Sequence, residues 1–315
     1  MNFHHITVLK KQTVDSLNLQ TGDIAIDCTA GGGGHTELML EATGKNGKVF
    51  AFDQDQTAID HLHEKFSIQI KQGSLEIIKS NFGAIEEICR EYKILGKVSG
   101  VAADIGISSH QIDTADRGFS FQSDGPLDMR MDKNRDLTAA DIVNSWEEGD
   151  LVDIFRRYGE EPKAIFGAKG IIEFRKNSKI STTSQLAEIL AKSIHYKTRS
   201  RKHPATKIFQ ALRIAVNNEL GELELLLSGG LKSLKSGGRL SVISFHSLED
   251  RIIKQYYKQQ AGLNKKPILR DLPVLPEKTE EYAKIIKPFP QTPDENELQI
   301  NPRSRSAKLR ILEKV

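Results

Sequence analysis

Four consecutive glycines, Gly31 to Gly34, separate a short apolar run from a stretch with helical periodicity. The run at residues 24–27 has the composition of a buried β-strand, and residues 36–42 have the pattern of a helix. Glycines allow the backbone to approach a ligand closely, and the start of a helix offers unpaired N–H donors. The pattern therefore predicts a βαβ unit with a nucleotide-type cofactor site in its first turn.

Two carboxylates close later strands of the same predicted sheet. Asp53 ends the apolar run at residues 49–53, about 20 residues after the glycines, where nucleotide sites place an acceptor for ribose hydroxyls. Asp104 ends the run at residues 98–104. Because the carboxyl ends of parallel strands meet at one edge of a sheet, we expect Asp53, Asp104 and the glycine loop to line one crevice.

The spacing of the glycines discriminates between two cofactor classes. A dinucleotide site requires G-x-G-x-x-G, but Thr36 or Glu37 stands where the third glycine belongs. The loop instead approximates D-x-G-x-G-x-G starting at Asp27, with Thr29 in the first glycine slot. S-adenosylmethionine has no phosphates and tolerates an acidic residue there. The loop favours this cofactor over NAD, and a glycine-rich turn with structural duties only is the alternative.

Strand and helix patterns alternate in the first hundred residues and again near the end of the chain. A third strand is expected at residues 77–82, and later strands are expected at 239–244 and 306–312, whereas 112–205 is helical and charged and 205–227 has the pattern of one long helix. Residues 262–302 hold seven of the ten prolines and predict an irregular segment. We expect an α/β fold: a Rossmann-like methyltransferase core of residues 1–111 and 206–315, its parallel sheet ending in an antiparallel strand, with a helical insertion domain at 112–205.

Bulk properties exclude several classes of protein. The net charge is only +3, so contact with nucleic acid would depend on local patches. Cys28 and Cys89 stand far apart and form neither a disulfide framework nor a metal-ligand pair, as is usual in a reducing cytoplasm. The first residues lack a signal-peptide pattern, and no apolar run approaches the roughly 18 residues of a membrane span. The sequence predicts a cytoplasmic protein without a metal or membrane contact.

One basic segment is a candidate RNA contact. No acidic residue occurs between Glu188 and Glu219, and histidine and tyrosine side chains that could stack on bases are interleaved with the cations. The alternative is an ordinary solvated run of charge. The residues predicted to bind RNA are Lys197, Arg199, Arg201, Lys202 and Lys207.

Several distinctive blocks stand in order along the chain. They lie at residues 5–9, 27–35, 104–111, 117–121, 125–132 (GPLDMRMD), 158–161, 209–214, 244–251 (SFHSLEDR) and 301–310. In these blocks the chain resembles, nearly from end to end, the bacterial small-subunit ribosomal RNA cytosine-N4 methyltransferases, the RsmH (MraW) family. Thr7 stands where proline is common in that family, and Lys207 where arginine is common.

The resemblance implies a function and a set of site residues. It implies methyl transfer from S-adenosylmethionine to N4 of a cytidine in the decoding region of 16S rRNA, within the small ribosomal subunit. A monomer and a homodimer both fit the sequence. The residues that would line the cofactor site are Gly33, Gly34, His35, Asp53, Phe82, Asp104 and Gln111.

The chemistry suggests two catalytic candidates. The N4 lone pair of cytosine is delocalised into the ring, so a polar group near the amine would assist its attack. Asp104 could be this group or a cofactor ligand, and His246 could orient the base, accept its proton or be a structural histidine. A non-catalytic assembly factor that keeps the pocket as a relic, and a methyltransferase acting on DNA or protein, are the other hypotheses.

Overall fold

The computed structural model describes residues 6–195, 203–263 and 282–315. The chain forms two compact units. The first comprises Met1–Gly106 and Gly221–Val315, and the second comprises Ile107–Leu220. Among the helices described, none combines the length and the apolar character that crossing a bilayer requires.

The first unit is built on a seven-stranded sheet. Its strands are β1 (Ile24–Asp27), β2 (Lys48–Asp53), β3 (Leu75–Lys79), β4 (Val98–Asp104), β5 (Leu234–Ser244), β6 (Ala283–Gln291) and β7 (Lys308–Lys314). The spatial order is β3-β2-β1-β4-β5-β7-β6. β1 to β5 are parallel, whereas β7 is antiparallel to both β5 and β6. This arrangement confirms the Rossmann-like sheet with an antiparallel last strand, and its order reverses beside β1, where such sheets bind ligands.

The helices connect these strands and make up the second unit. They are α1 (Lys10–Ser16), α2 (Gly34–Thr43), α3 (Gln56–Lys65), α4 (Ser67–Lys71), α5 (Ile85–Glu91), α6 (Ser109–Asp113), α7 (Ala139–Ser145), α8 (Glu148–Arg157), α9 (Ala164–Arg175), α10 (Thr183–Ser193), α11 (Ala205–Asn217), α12 (Glu219–Ser233), α13 (Ser247–Gln260) and α14 (Glu295–Ile300). Short 3-10 helices lie at Phe82–Ala84, Ala115–Arg117 and Pro302–Ser306.

Apolar side chains cover both faces of the sheet. Along β2, Phe50 and Phe52 belong to one buried cluster, and Val49 and Ala51 belong to another. Successive side chains of a strand point to opposite faces, so β2 is buried on both. This explains why its sequence is a continuous apolar run rather than an alternating one.

The prediction of one continuous helix at residues 205–227 is wrong. Asn218 adopts the left-handed conformation, with φ 52°, and ends α11 at Asn217. Asparagine is one of the few residues that tolerate this conformation at a helix end. Two helices, α11 and α12, replace the single long one.

The prediction for residues 262–302 is wrong in part. Ala283–Gln291 forms β6 and Glu295–Ile300 forms α14, while residues 264–281 lie outside the described parts. Pro288 and Pro290 fall inside β6, which is the edge strand of the sheet. An edge strand tolerates proline because its outer N–H groups have no neighbouring strand to bond.

The third predicted strand also ends earlier than expected. β3 stops at Lys79, and Asn81 accepts a hydrogen bond from the Gly83 N–H at 3.0 Å through its side-chain oxygen. That bond caps the 3-10 turn that contains Phe82. Phe82 therefore follows the strand instead of belonging to it.

The second unit is helical, as expected, but its boundaries differ from the predicted 112–205. It begins at Ile107 and extends to Leu220, so it includes α11. Ile208, Phe209 and Leu212 of α11 are buried in the same apolar cluster as Leu151 and Phe155 of α8. These apolar residues of α11 thus pack with the helices of this unit.

Candidate active site

The glycine loop begins at a carboxylate that is fully engaged by the protein. Asp27 is buried, and its carboxylate accepts the Thr36 hydroxyl at 2.7 Å and the Thr29 N–H at 3.2 Å. Removal from water raises the pKa of Asp27 to about 6. Because Asp27 joins the two ends of the loop, its role here is to shape the turn.

Two of the loop glycines are required by contacts within the protein. Gly33 has φ 77°, and a Cβ there would lie 2.5 Å from Cε2 of Phe66. At Gly34, a Cβ would lie too close to the hydroxyl of Thr7. The residues fit a tightly packed turn, and the prediction that Gly33 and Gly34 line a cofactor stays a prediction.

Gly31 faces the open side of the loop. It has φ 50°, and the nearest atom to a Cβ there would be the Thr29 carbonyl oxygen at 3.8 Å. Lys65 fixes the neighbouring carbonyl by donating a hydrogen bond from Nζ to Gly32 at 3.1 Å. A ligand could therefore approach the backbone at Gly31 while the rest of the turn stays packed.

Asp53 connects the loop to the end of β2. One carboxylate oxygen accepts the Gly31 N–H at 2.8 Å, and the other accepts the Asp55 N–H at 2.9 Å. The residue is half-buried rather than fully enclosed. Desolvation raises the pKa of Asp53 to about 6, although both N–H bonds favour the ionised form. The position fits an acceptor for ribose hydroxyls, and that role of Asp53 stays a prediction.

Asp104 supplies an acceptor without a partner. Its N–H donates to the Thr29 hydroxyl at 2.6 Å, which joins the end of β4 to the glycine loop. Its Oδ1 is buried and has no hydrogen-bond partner within the described residues. Desolvation, reinforced by the charges of Asp27 and Glu249, raises the pKa of Asp104 well above its usual range. An orphaned acceptor beside the loop is what a hydrogen-bond donor of a bound ligand would satisfy.

His35 lies at the start of the helix that follows β1, and Phe82 lies in the 3-10 turn that follows β3. His35 is the second residue of α2 and is buried, and its Nε2 has no partner among the described residues. Burial lowers the pKa of His35 to about 4, so the imidazole is neutral at pH 7. Phe82 is 9% exposed and packs in the cluster that contains Ile85. Both positions fit the predicted site, and their contact with a cofactor stays a prediction.

Gln111 is placed by the second unit. Its side-chain oxygen accepts the Ser108 N–H at 3.0 Å, and its own N–H donates to the Ser108 hydroxyl at 3.2 Å. This capping box begins α6. The geometry gives Gln111 a structural duty, and a cofactor contact for it remains a prediction.

The predicted RNA-binding residues fall mostly outside the described parts of the chain. Lys197, Arg199, Arg201 and Lys202 all belong to residues 196–202, which the structure does not describe. Lys207 donates from Nζ to the Glu160 carbonyl oxygen at 2.7 Å, so it fastens the block at residues 158–161 to α11. Its contact with RNA is untested.

His246 caps α13 immediately after β5. Its Nδ1 receives the Glu249 N–H at 3.5 Å, and Glu249 in turn accepts the N–H groups of Phe245 at 2.9 Å and His246 at 3.2 Å. Sequence reasoning missed Glu249. Its spacing of three residues from the cap is the capping-box signal that could have revealed it.

Comparison with known proteins identifies the family. A weak match among solved structures is a putative rRNA-methylase from Clostridium thermocellum, at 14% identity. The match covers 99% of this chain and 100% of that chain, with a TM-score of 0.45. A methyltransferase homologue from Pyrococcus horikoshii matches at 12% identity, over 99% of this chain and 68% of that chain, with a TM-score of 0.44.

A SAM-dependent O-methyltransferase from Thermotoga maritima matches at 10% identity, over 100% of this chain and 68% of that chain, with a TM-score of 0.41. These likenesses are too weak to support an assignment. The sequence model of the MraW methylase family, by contrast, matches residues 2–315. The chain therefore belongs to the MraW methylase family.

Proposed function

We propose that this methylase transfers a methyl group from S-adenosylmethionine to N4 of a cytidine in the decoding region of 16S rRNA, in the small ribosomal subunit. The observation that carries the proposal is Asp53, which is half-buried at the end of β2 and holds Gly31 of the glycine loop by one carboxylate oxygen. The family assignment and the sequence blocks 125–132 and 244–251 support the choice of substrate.

The residues at the sheet edge fit S-adenosylmethionine. Asp53 would accept the ribose hydroxyls, the backbone at Gly31 would lie against the nucleoside, and Asp104 Oδ1 would accept a ligand N–H. When bound, the cofactor supplies an electrophilic methyl group and leaves as a neutral thioether. NAD fits less well, because Thr36 stands at a dinucleotide-site glycine and uses its hydroxyl to hold Asp27.

Cytosine N4 is a poor nucleophile, so the protein must mainly position it. An unpaired or flipped base exposes the amine. Alignment of the amine with the methyl carbon and the sulfur can supply roughly 7–11 kcal/mol of the barrier reduction. Asp104 ends β4 and His246 follows the neighbouring parallel strand β5, so their backbones meet at the edge where this alignment would occur.

A labelled-methyl assay tests the proposal. Small ribosomal subunits lacking the modification are incubated with the enzyme and tritiated S-adenosylmethionine, and the methylated nucleotide is mapped by mass spectrometry. We expect one methyl group on N4 of a decoding-region cytidine. Incorporation of the label into DNA or protein instead would refute the proposal. A protein that binds the cofactor in calorimetry but incorporates no label would also refute it, in favour of a non-catalytic assembly factor.

Cofactor affinity should fall below about pH 6. The proposed ribose contact needs an ionised Asp53, whose pKa is raised to about 6. Titration calorimetry with S-adenosylhomocysteine from pH 8 to 5 should show the loss through pH 6. The raised pKa values of Asp53 and Asp27 mean that the folded state binds more protons than the unfolded state between about pH 6 and 4. The protonation of these two groups therefore increases the stability of the fold as pH falls, and it cannot cause a loss of affinity through unfolding. An affinity that does not change with pH would contradict the prediction.

The basic segment should determine the salt dependence of RNA binding. Replacing Lys197, Arg199, Arg201 and Lys202 with serine should reduce the slope of log affinity against log salt by about 3, at roughly 0.7 per phosphate contact. Filter binding to the subunit across salt concentrations measures this slope. The control removes the same charge at the exposed lysines 45, 71, 176 and 254 and should leave the slope nearly unchanged. Equal changes in both variants would refute a specific contact.

A further inference from the structure

The turn between β5 and α13 lies beside the end of β4. β5 ends at Ser244, His246 is the N-cap of α13, and Phe245 stands between them. In the parallel register of the two strands, Ile243 pairs with Asp104. A Cβ at Gly106 would lie 3.4 Å from the Phe245 ring, so the chain leaving β4 runs along this turn.

Buried polar atoms without partners concentrate at this edge. Six buried side-chain nitrogen or oxygen atoms in the described parts of the chain have no hydrogen-bond partner. Four of them belong to residues at or just after the ends of β4 and β5: Asp104 Oδ1, Ser244 Oγ, His246 Nε2 and Glu249 Oε1. Buried polar groups without hydrogen-bond partners are rare and costly, so their concentration at one edge points to groups that act on a ligand.

Glu249 is rigidly held by one of its oxygens. The side chain is 1% exposed, and Oε2 accepts the N–H groups of Phe245 and His246. Oε1 lies 3.0 Å from Nε2 of His246, at ion-pair distance but without good hydrogen-bond geometry. Such contacts in ligand-free sites commonly tighten when the substrate binds. Because two backbone N–H groups hold the Glu249 carboxylate in place, this carboxylate can hold the His246 ring in one orientation.

The lone pair on Nδ1 of the His246 imidazole is only weakly engaged. Nδ1 receives the Glu249 N–H at 3.5 Å, a long and therefore weak hydrogen bond. With Nε2 facing the carboxylate, the hydrogen of a neutral ring belongs on Nε2 and the lone pair on Nδ1. The side chain is 12% exposed, in contrast to the 1% of Glu249, so the ring rather than the carboxylate is the group a substrate could reach.

We propose that Glu249 is a positioning residue that orients the His246 imidazole as the acceptor of the proton lost by the methylated amine. The inference rests on the proposed function. As the N4–carbon bond forms, the carbon–sulfur bond breaks and its electron pair stays on sulfur. One N4 proton then passes to Nδ1 of His246, where it replaces the long hydrogen bond from the Glu249 N–H. The carboxylate of Glu249 stabilises the imidazolium until it releases the proton to water.

Asp104 is another group at this edge that could take the proton. Its N–H is tied to Thr29 of the glycine loop, which places it on the cofactor side. Glu249 has no such tie, because both of its described backbone partners, Phe245 and His246, belong to the β5–α13 turn. On these contacts, Asp104 belongs with the cofactor, whereas Glu249 acts through His246.

Glu249→Gln separates orientation from helix capping. The amide oxygen can still accept both N–H groups and preserve the start of α13, but the negative charge facing His246 is lost. We expect kcat to fall at least 30-fold, with KM for the subunit and the Kd of S-adenosylhomocysteine within twofold of wild type. A kcat within threefold of wild type, or a parallel loss of cofactor binding, would overturn the proposal.

A double-mutant cycle shows whether Glu249 acts through His246. Asparagine is itself a good N-cap residue, so His246→Asn should keep the helix start while removing the imidazole. If Glu249 serves only to orient the ring, Glu249→Gln should change kcat less than twofold in the His246→Asn background. Equal losses in the two backgrounds would refute the coupling.

The ring nitrogens of His246 provide a readout that needs no substrate. In nitrogen-15 NMR spectra of the cofactor-free protein, we expect the Nε2–H tautomer for His246 and a shift toward Nδ1–H in Glu249→Gln. The His246→Asn spectrum assigns this signal among the nine histidines. An Nδ1–H tautomer in wild type, or no change in the variant, would refute the orientation. If the rRNA assay fails while this result holds, the proposed function fails and the pairing stands.

Discussion

Replacing Asp53 with asparagine is expected to weaken the binding of S-adenosylhomocysteine at least 100-fold. Asparagine keeps the size of the side chain but removes the charge. Its amide oxygen can accept only one of the Gly31 and Asp55 N–H groups, because the NH₂ group cannot accept the other. Hydrogen bonds to a charged group contribute about 1.5–3 kcal/mol each. Losing two ribose contacts of this kind corresponds to roughly 10²- to 10⁴-fold in affinity.

Titration calorimetry at pH 7.5 measures this effect directly. Asp60→Asn is the matched control, because Asp60 is an exposed carboxylate on α3 whose described hydrogen bond is to Gln56. It should bind the ligand like wild type. A decrease of less than fivefold for Asp53→Asn would show that the carboxylate at the end of β2 does not anchor the ribose.

Asn217→Ala is expected to lower the free energy of unfolding of the second unit by about 3–5 kcal/mol, since it leaves several buried backbone groups unpaired. Asn217 is 1% exposed, and its side chain accepts the Met131 N–H at 2.8 Å and donates to the Met129 carbonyl at 2.8 Å and the Arg213 carbonyl at 2.9 Å. These bonds fasten the GPLDMRMD block to the end of α11.

Urea unfolding followed by tryptophan fluorescence measures the change in the appropriate unit. The chain has a single tryptophan, Trp146, and it belongs to the second unit. The control Asn218→Gly should alter stability by less than about 1 kcal/mol, because glycine adopts the left-handed conformation of that position readily. A loss below 1 kcal/mol for Asn217→Ala would contradict the assigned network.

The sheet was predictable where a strand is specified by its own residues. β1, β2 and β4 are apolar runs ending in Asp27, Asp53 and Asp104, and each lies where the sequence places it. β6 was not predictable because it contains Pro288 and Pro290, and its place at the sheet edge depends on pairing with the distant β7. Local patterns do not contain that information.

The break between α11 and α12 shows the same limitation. Helical periodicity continues on both sides of Asn218, so the pattern favours one helix. The left-handed conformation of Asn218 is compatible with its residue type, but asparagine also occurs within helices. Tertiary contacts of Asn217 with the loop at 129–131 fix the point at which α11 ends.

Within the site, strand ends were easier to predict than packing. Asp53 and Asp104 were identifiable because parallel strands present their carboxyl ends at one edge. The contacts of Gly33 with Phe66 and of Gly34 with Thr7 could not be predicted, since they depend on how α3 and the residues before α1 pack on the loop. Glu249 carried a readable signal in its capping-box spacing from His246.

A crystal structure with S-adenosylhomocysteine shows whether Asp53 anchors the sugar of the cofactor. We expect both ribose hydroxyls within about 3 Å of the Asp53 carboxylate, which is hydrogen-bond distance, with the nucleoside against Gly31 and a ligand N–H on Asp104 Oδ1. A nucleoside bound elsewhere, or bound with Asp53 turned away from its sugar, would contradict it.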